Sequence, residues 1–183
     1  MRLRLRPYLI YKLLNSLFTG LSVGSIFVIY QPLHPSIYSI GGILLALGML
    51  LIAKYYDILL NIHRYFQIGL LVELVMLALV VLFLLRPYTY MSALLIYAGY
   101  QFTFMFGAYL VRAETLIVKK ATALAKVDIF KQIGYLAGMV LSFLFYQLVD
   151  GDKQTQVYKL HYLLLVTEIA IIWFFIHSFE RRR

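Results

Sequence analysis

The stretch Gly20-Leu-Ser-Val-Gly24 admits two readings that lead to different folds. As G-x-S-x-G it matches the nucleophile elbow of a serine hydrolase, and as G-x-x-x-G it matches a helix packed closely inside a membrane. The elbow needs a strand before the serine and a helix after it, so that a sharp turn exposes the hydroxyl. Ser22 lies instead in an unbroken apolar run with no strand-turn-helix pattern around it. An intramembrane serine protease would need a histidine at the same depth, and His34, His63, His161 and His177 fall at or near the ends of the expected helices. Ser22 is therefore read as a small residue, and Gly20 and Gly24 as positions where another helix comes close.

Composition supports the membrane reading. Of 183 residues 63% are hydrophobic and only 14% charged, and the mean hydropathy is +0.84. A soluble domain of this size needs polar residues over most of its exterior, whereas here they form short islands between long apolar runs. Six runs approach the ~20 residues that cross a hydrocarbon core. They lie at 13–30, 37–53, 66–85, 90–111, 129–149 and 160–179. The expectation is an all-α membrane protein with one domain over 1–183, flanked by a basic N-terminus at 1–12 and a basic C-terminus at 180–183. The first run is too long for a signal peptide and lacks a small-residue cleavage site, so it is expected to be a retained helix.

Basic residues orient the bundle. Of 17 lysines and arginines, only Arg86, Lys153 and Lys159 fall on the side opposite the N-terminus. The positive-inside rule then places both termini in the cytoplasm, in an inner or plasma membrane. The same bias accounts for the net charge of +9. A nucleic-acid surface would set basic residues among water-facing aromatics, and here they flank membrane helices, so no nucleic-acid partner is expected. There is no cysteine, and no phosphate-binding glycine loop, metal-ligand spacing or cofactor motif is apparent. No enzymatic activity is expected.

Asn15, Thr19, Ser22 and Tyr30 share one face of the first helix, and Tyr90, Tyr97, Gln101 and Phe104, with Tyr100 beside them, form a similar stripe on the fourth. Polar side chains are costly in lipid, so two such stripes in corresponding helices point to a shared cavity. Glu73 and Glu168 are intramembrane carboxyls, and each is either a candidate for proton or substrate coupling or a protonated or hydrogen-bonded packing residue. The two sets of three spans also echo each other. Leu70-Leu-Val-Glu73 resembles Leu164-Leu-Val-Thr-Glu168, and the small-residue spacing of Gly42 and Ala46 recurs at Gly134, Gly138 and Ser142. Three is odd, so the two sets run oppositely through the membrane, as two inverted three-helix repeats.

The loop Ala53-Lys-Tyr-Tyr-Asp57, continuing through Asn61 to His63-Arg64, resembles the G-x-x-x-D-[RK]-x-G-[RK]-[RK] loop of the major facilitator superfamily of transporters. Ala53 stands at the first glycine and Ile58 at the base after the aspartate. Arg112-Ala-Glu114, and Asp128-x-x-Lys131-Gln-Ile-Gly134 leading into the fifth span, resemble the end of that family's fourth helix and its glycine-rich fifth. The resemblance implies one half of such a transporter. Spans one and four would line the cavity with Asn15, Thr19, Ser22, Tyr30, Tyr97, Tyr100 and Gln101, while three and six lie outside. Asp57, Arg64, Arg112, Glu114 and Asp128 would form a cytoplasmic charge gate. Spans two and five would meet the other half through Gly41, Gly42, Gly48, Gly134 and Gly138, where small side chains permit close approach. The implied function is alternating-access transport of a small, neutral or amphipathic organic solute by a homodimer. The alternative is a non-transporting membrane subunit of a larger complex.

Overall fold

The computed structural model describes residues 1–180. Arg181, Arg182 and Arg183, counted above in the basic tail, lie outside the described residues. Eight helices and a two-stranded ribbon follow in the order β1 (Arg2–Leu3), α1 (Leu5–Ile29), α2 (Pro35–Lys54), α3 (Tyr56–Leu59), α4 (Ile62–Leu85), α5 (Tyr90–Met105), α6 (Gly107–Val118), α7 (Ala121–Leu148), α8 (Lys153–His177) and β2 (Phe179–Glu180). With α5 and α6 taken as one span, six are long and apolar enough to cross a membrane. The chain is a multi-pass membrane protein.

The helix starts carry their own signals. Pro35 occupies the first turn of α2, where its missing N–H costs nothing, and His34 accepts from the Ser36 amide. Asn61 caps α4 by accepting from the amides of His63 and Arg64. Thr89 and Ser92 form a reciprocal capping box at α5. Asp152 caps α8 through the Thr155 amide at 2.9 Å. Span four breaks at Phe106, and α6 restarts at Gly107, a residue with low helix propensity. Three helices begin well before the apolar runs do, α1 at Leu5 rather than 13, α7 at Ala121 rather than 129 and α8 at Lys153 rather than 160. In α1 the cause is packing, because Tyr8 and Tyr11 bury their rings in the core and draw the basic stretch into the helix.

Packing of the spans is selective. Helix α1 lies against α7 and α8, α4 lies against α8 and α5, and α2 lies against α5. The main core joins Tyr8, Phe18, Leu21, Leu160, Leu164 and Ile171. At the end of the bundle that holds β1 and β2, Phe66 stacks on Phe175 with centroids 5.7 Å apart, and Phe179 packs edge-on against both. Beside them β1 pairs antiparallel with β2, setting Arg2 opposite Glu180. Spans α2 and α7 are the least buried, and the outward sides of α2 carry Ile40, Ile43, Leu44, Leu47 and Leu50. Such a surface suits lipid as its solvent.

Candidate functional site

The polar stripe of α1 extends further toward the terminal end than Asn15. Tyr8, Tyr11, Lys12 and Asn15 recur at helical spacing and turn into the bundle, where they meet carboxyls from two other helices. Glu114 of α6, 3% exposed, takes a lysine on each oxygen. Lys12 Nζ lies 2.8 Å from Oε1 and Lys131 Nζ 2.5 Å from Oε2. The Tyr8 hydroxyl also donates to Oε1, and its oxygen lies 2.5 Å from the Tyr65 hydroxyl. Lys12 sits over the Tyr8 and Tyr11 rings at 5.3 and 5.2 Å, so its cation is held on aromatic faces as well.

A second carboxyl cluster lies one to two turns deeper. Glu73 of α4 accepts the Tyr11 hydroxyl on Oε1 at 2.6 Å, and the Asn15 amide on both oxygens at 3.3 and 3.4 Å. Glu168 of α8, the helix packed along α4, is its acidic neighbour. Glu168 is 1% exposed, and its Oε1 has no hydrogen-bond partner among the described residues. Two carboxyls from different helices thus meet in the middle of the bundle, away from water.

The other residues expected at a site are distributed as follows. Thr19 and Ser22 spend their hydroxyls on carbonyls of their own helix, Asn15 O at 3.0 Å and Thr19 O at 3.1 Å. Tyr30, Tyr38 and Tyr97 form an aromatic trio with Tyr97 edge-on to both others, and the Tyr97 hydroxyl donates to the Tyr38 carbonyl at 3.1 Å. Tyr97, Gln101 and Gly41 line a cavity of 260 Å³ between α2 and α5 that is otherwise apolar. Gln101 Oε1 is buried there without a partner. Tyr100 packs against Phe104 and lies close to Ser22. Asn15 is turned away from this cavity toward Glu73, so the stripes of spans one and four do not form one lining within the chain.

Of the expected gate, Glu114 and Asp128 are joined through Lys131, which lies 3.6 Å from Asp128. Arg112 lies over the Tyr56 ring at 5.7 Å, and Arg64 donates to Gln67. Among the described residues Asp57, Arg64 and Arg112 make no ion pair. Glu114 is a core residue, which a loop charge would not be.

The glycines also divide. A Cβ on Gly134 would lie 2.1 Å from Leu13 O, and one on Gly138 2.3 Å from Leu17 O. Both faces are occupied by α1 inside the chain, which corrects their expected place on a surface for a second copy. Gly41 abuts Tyr97 and Gly48 abuts Met105, whereas a Cβ on Gly42 meets nothing within 4 Å. Only Gly42 of this set is open to a neighbour.

Sequence reasoning missed Tyr8, Tyr11, Lys12, Tyr65 and Lys131. The available signal was the continuation of the α1 stripe through residues 8, 11 and 12, which the basic-flank reading of that segment absorbed. Among the described residues no group of three or more His, Asp or Glu side chains is placed to hold a metal ion. Compared with protein families, curated proteins and solved structures, the chain matches none.

Proposed function

We propose that the chain is one half of a membrane transporter for a small organic solute, and that two copies assemble side by side and work by alternating access. The observation that carries this reading is the pattern of neighbours. Exchanging span one with four, two with five and three with six converts the α1·α7 contact into the contact of span four with α2. It likewise converts α1·α8 into α5·α4, and leaves α4·α8 unchanged. Two inverted three-helix units, each resembling the other, account for such an exchange, and this is the arrangement of half a major facilitator transporter.

Two further features support the reading. The cavity between α2 and α5 is apolar apart from Tyr97 and Gln101, which suits a neutral or amphipathic solute. The carboxyl pair at the centre of the bundle is of the kind that couples proton movement to conformational change in pumps and transporters. A second copy would meet the first along α2, where Gly42 and the exposed apolar residues lie. The homodimer and the inner-membrane location with cytoplasmic termini belong to this proposal.

The test is uptake by purified protein in liposomes under an imposed pH gradient, with labelled sugars, amino acids and nucleosides as probes, together with native mass spectrometry from nanodiscs. A two-chain mass and solute entry that Gln101→Ala removes support the proposal. A monomer without flux, or a stoichiometric complex with a different protein, replaces it with the membrane-subunit reading.

A further inference from the structure

We propose that Glu73 and Glu168 form a single proton-binding site, and that Lys12 is the charge that responds to its occupancy. The inference rests on the transporter reading only for its use, because proton binding is measurable without transport.

Donor geometry assigns the proton. Around Glu73 stand the Tyr11 hydroxyl and the Asn15 amide, both donating to it. A carboxyl surrounded by donors is the acceptor, that is, the carboxylate. Glu168 is the neighbour of the same group, receives no donor among the described residues, and keeps Oε1 buried and unpartnered there. Two carboxyls this close and this dry do not both carry charge. The arrangement closes only if Glu168 is the protonated member and donates to Glu73.

The terminal cluster supplies the cation that faces this pair. Glu114 and Asp128 are two carboxylates against two ammonium groups, Lys12 and Lys131, so that cluster is balanced on its own. Lys12 lies over the Tyr11 ring at 5.2 Å, and the Tyr11 hydroxyl donates to Glu73, which sets Lys12 beside the pair. The charged and titratable groups facing it are Tyr11 and Lys12 from α1, Glu168 from α8, Tyr100 from α5, Glu114 from α6 and Tyr65 from α4 itself.

Loss of that proton has a defined consequence. The Glu168 O–H bond breaks, the proton passes to water or buffer, and the pair carries two negative charges. No electron changes place. Lys12 is the mobile countercharge, because Glu114 retains Lys131 on Oε2 and the Tyr8 hydroxyl on Oε1 when Lys12 leaves. A shift of Lys12 from Glu114 toward Glu73 removes an ion pair between α1 and α6 and adds one between α1 and α4. Occupancy at the centre of the bundle is thereby linked to contacts at its terminal end.

The experiment is an infrared titration of the purified chain in nanodiscs, following the carbonyl stretch of protonated carboxylic acids. Wild type is expected to show a band that disappears as pH rises, and Glu168→Gln is expected to lack it while Asp57→Asn retains it. Lys12→Met is expected to hold the band until the proton concentration is at least tenfold lower, and Lys12→Arg to titrate as wild type. Should Lys12→Met fail to fold, Lys12→Gln removes the same charge while keeping a polar donor and must show the same displacement. Absence of the band in wild type, its persistence in Glu168→Gln, or titration unchanged by removing Lys12 overturns the proposal. A titrating band in a protein that moves no solute retains the site and removes the transporter reading, and uptake with a silent band does the reverse.

Discussion

Gly20 of α1 and Gly138 of α7 meet face to face, so closely that a Cβ on Gly138 would stand 3.0 Å from the Gly20 Cα and 2.3 Å from Leu17 O. One turn along, Ser142 Oγ donates to Leu21 O at 3.3 Å, a hydrogen bond that only helices in such close contact can make. The G-x-x-x-G of span one is thus a seat for α7, and Ser22, between its glycines, bonds back to its own helix.

Replacing Gly138 by leucine should therefore separate α1 from α7. The obstacle is backbone, which cannot rotate away, and the expected loss is about 3 kcal/mol or more. Thermal unfolding in detergent should show a lower midpoint or no folded protein. Gly42→Leu, with open space around it, should leave the midpoint of the monomer unchanged.

Glu114 and its two lysines should behave as a unit. Glu114→Gln leaves Lys12 without its carboxylate and Lys131 with Asp128 alone, and breaking a buried pair this way costs about 3 to 5 kcal/mol. Denaturant titration followed by tryptophan fluorescence from Trp173 measures the loss. Adding Lys12→Met to the same chain should recover part of it, because the stranded charge is then gone.

Gly107 restarts the helix after the break in span four, and a Cβ there meets nothing within 4 Å. Gly107→Ala should stabilise the fold by up to about 1 kcal/mol through helix propensity alone. If movement at this break is needed for alternating access, uptake by the same variant should fall while its unfolding midpoint rises.

The exposed cap of α8 should give an acid-sensitive end. Hydrogen bonds from Thr155 hold the Asp152 carboxyl below its ordinary value. A carboxyl depressed in the folded state contributes stability that is present above its unfolded value and lost as pH falls through the folded one. Amide exchange at Thr155 should accordingly accelerate in acid. Asp152→Asn, which keeps an acceptor at the cap, should remove that dependence.

Tyr97 tests the cavity without disturbing the carboxyls. Its hydroxyl bonds to the Tyr38 carbonyl at the cavity wall. Tyr97→Phe should cost about 1 kcal/mol in stability, and it should change solute selectivity in uptake if this cavity receives the solute.

What was legible in the sequence follows from what each signal measures. Apolar runs located all six spans, because crossing hydrocarbon demands length and little else. They misplaced the starts of α1, α7 and α8, because Tyr8 and Lys12 in α1, Val127 in α7 and Val157 in α8 are held by partners in the core ahead of the apolar runs. Glu73 and Glu168 stood out as carboxyls among apolar residues, but their meeting depends on how α4 packs on α8. Smallness marked Gly134 and Gly138 as contact points without saying which helix they touch. Lysine counts gave an orientation for the bundle and for the same reason hid Lys12, since a residue that satisfies a topological rule attracts no second question.

The β1–β2 ribbon ties the two ends of the six-span bundle together. Arg2 and Glu180 lie side by side at one end of an even-numbered bundle, so a short linker from the last strand of one copy to the first strand of the next returns the second copy to the same orientation. An odd number of spans would invert it. This unit can be doubled in tandem by simple joining, with no added helix to restore its direction, and two covalently linked copies would keep the relationship that two separate copies have when they lie parallel in the same bilayer.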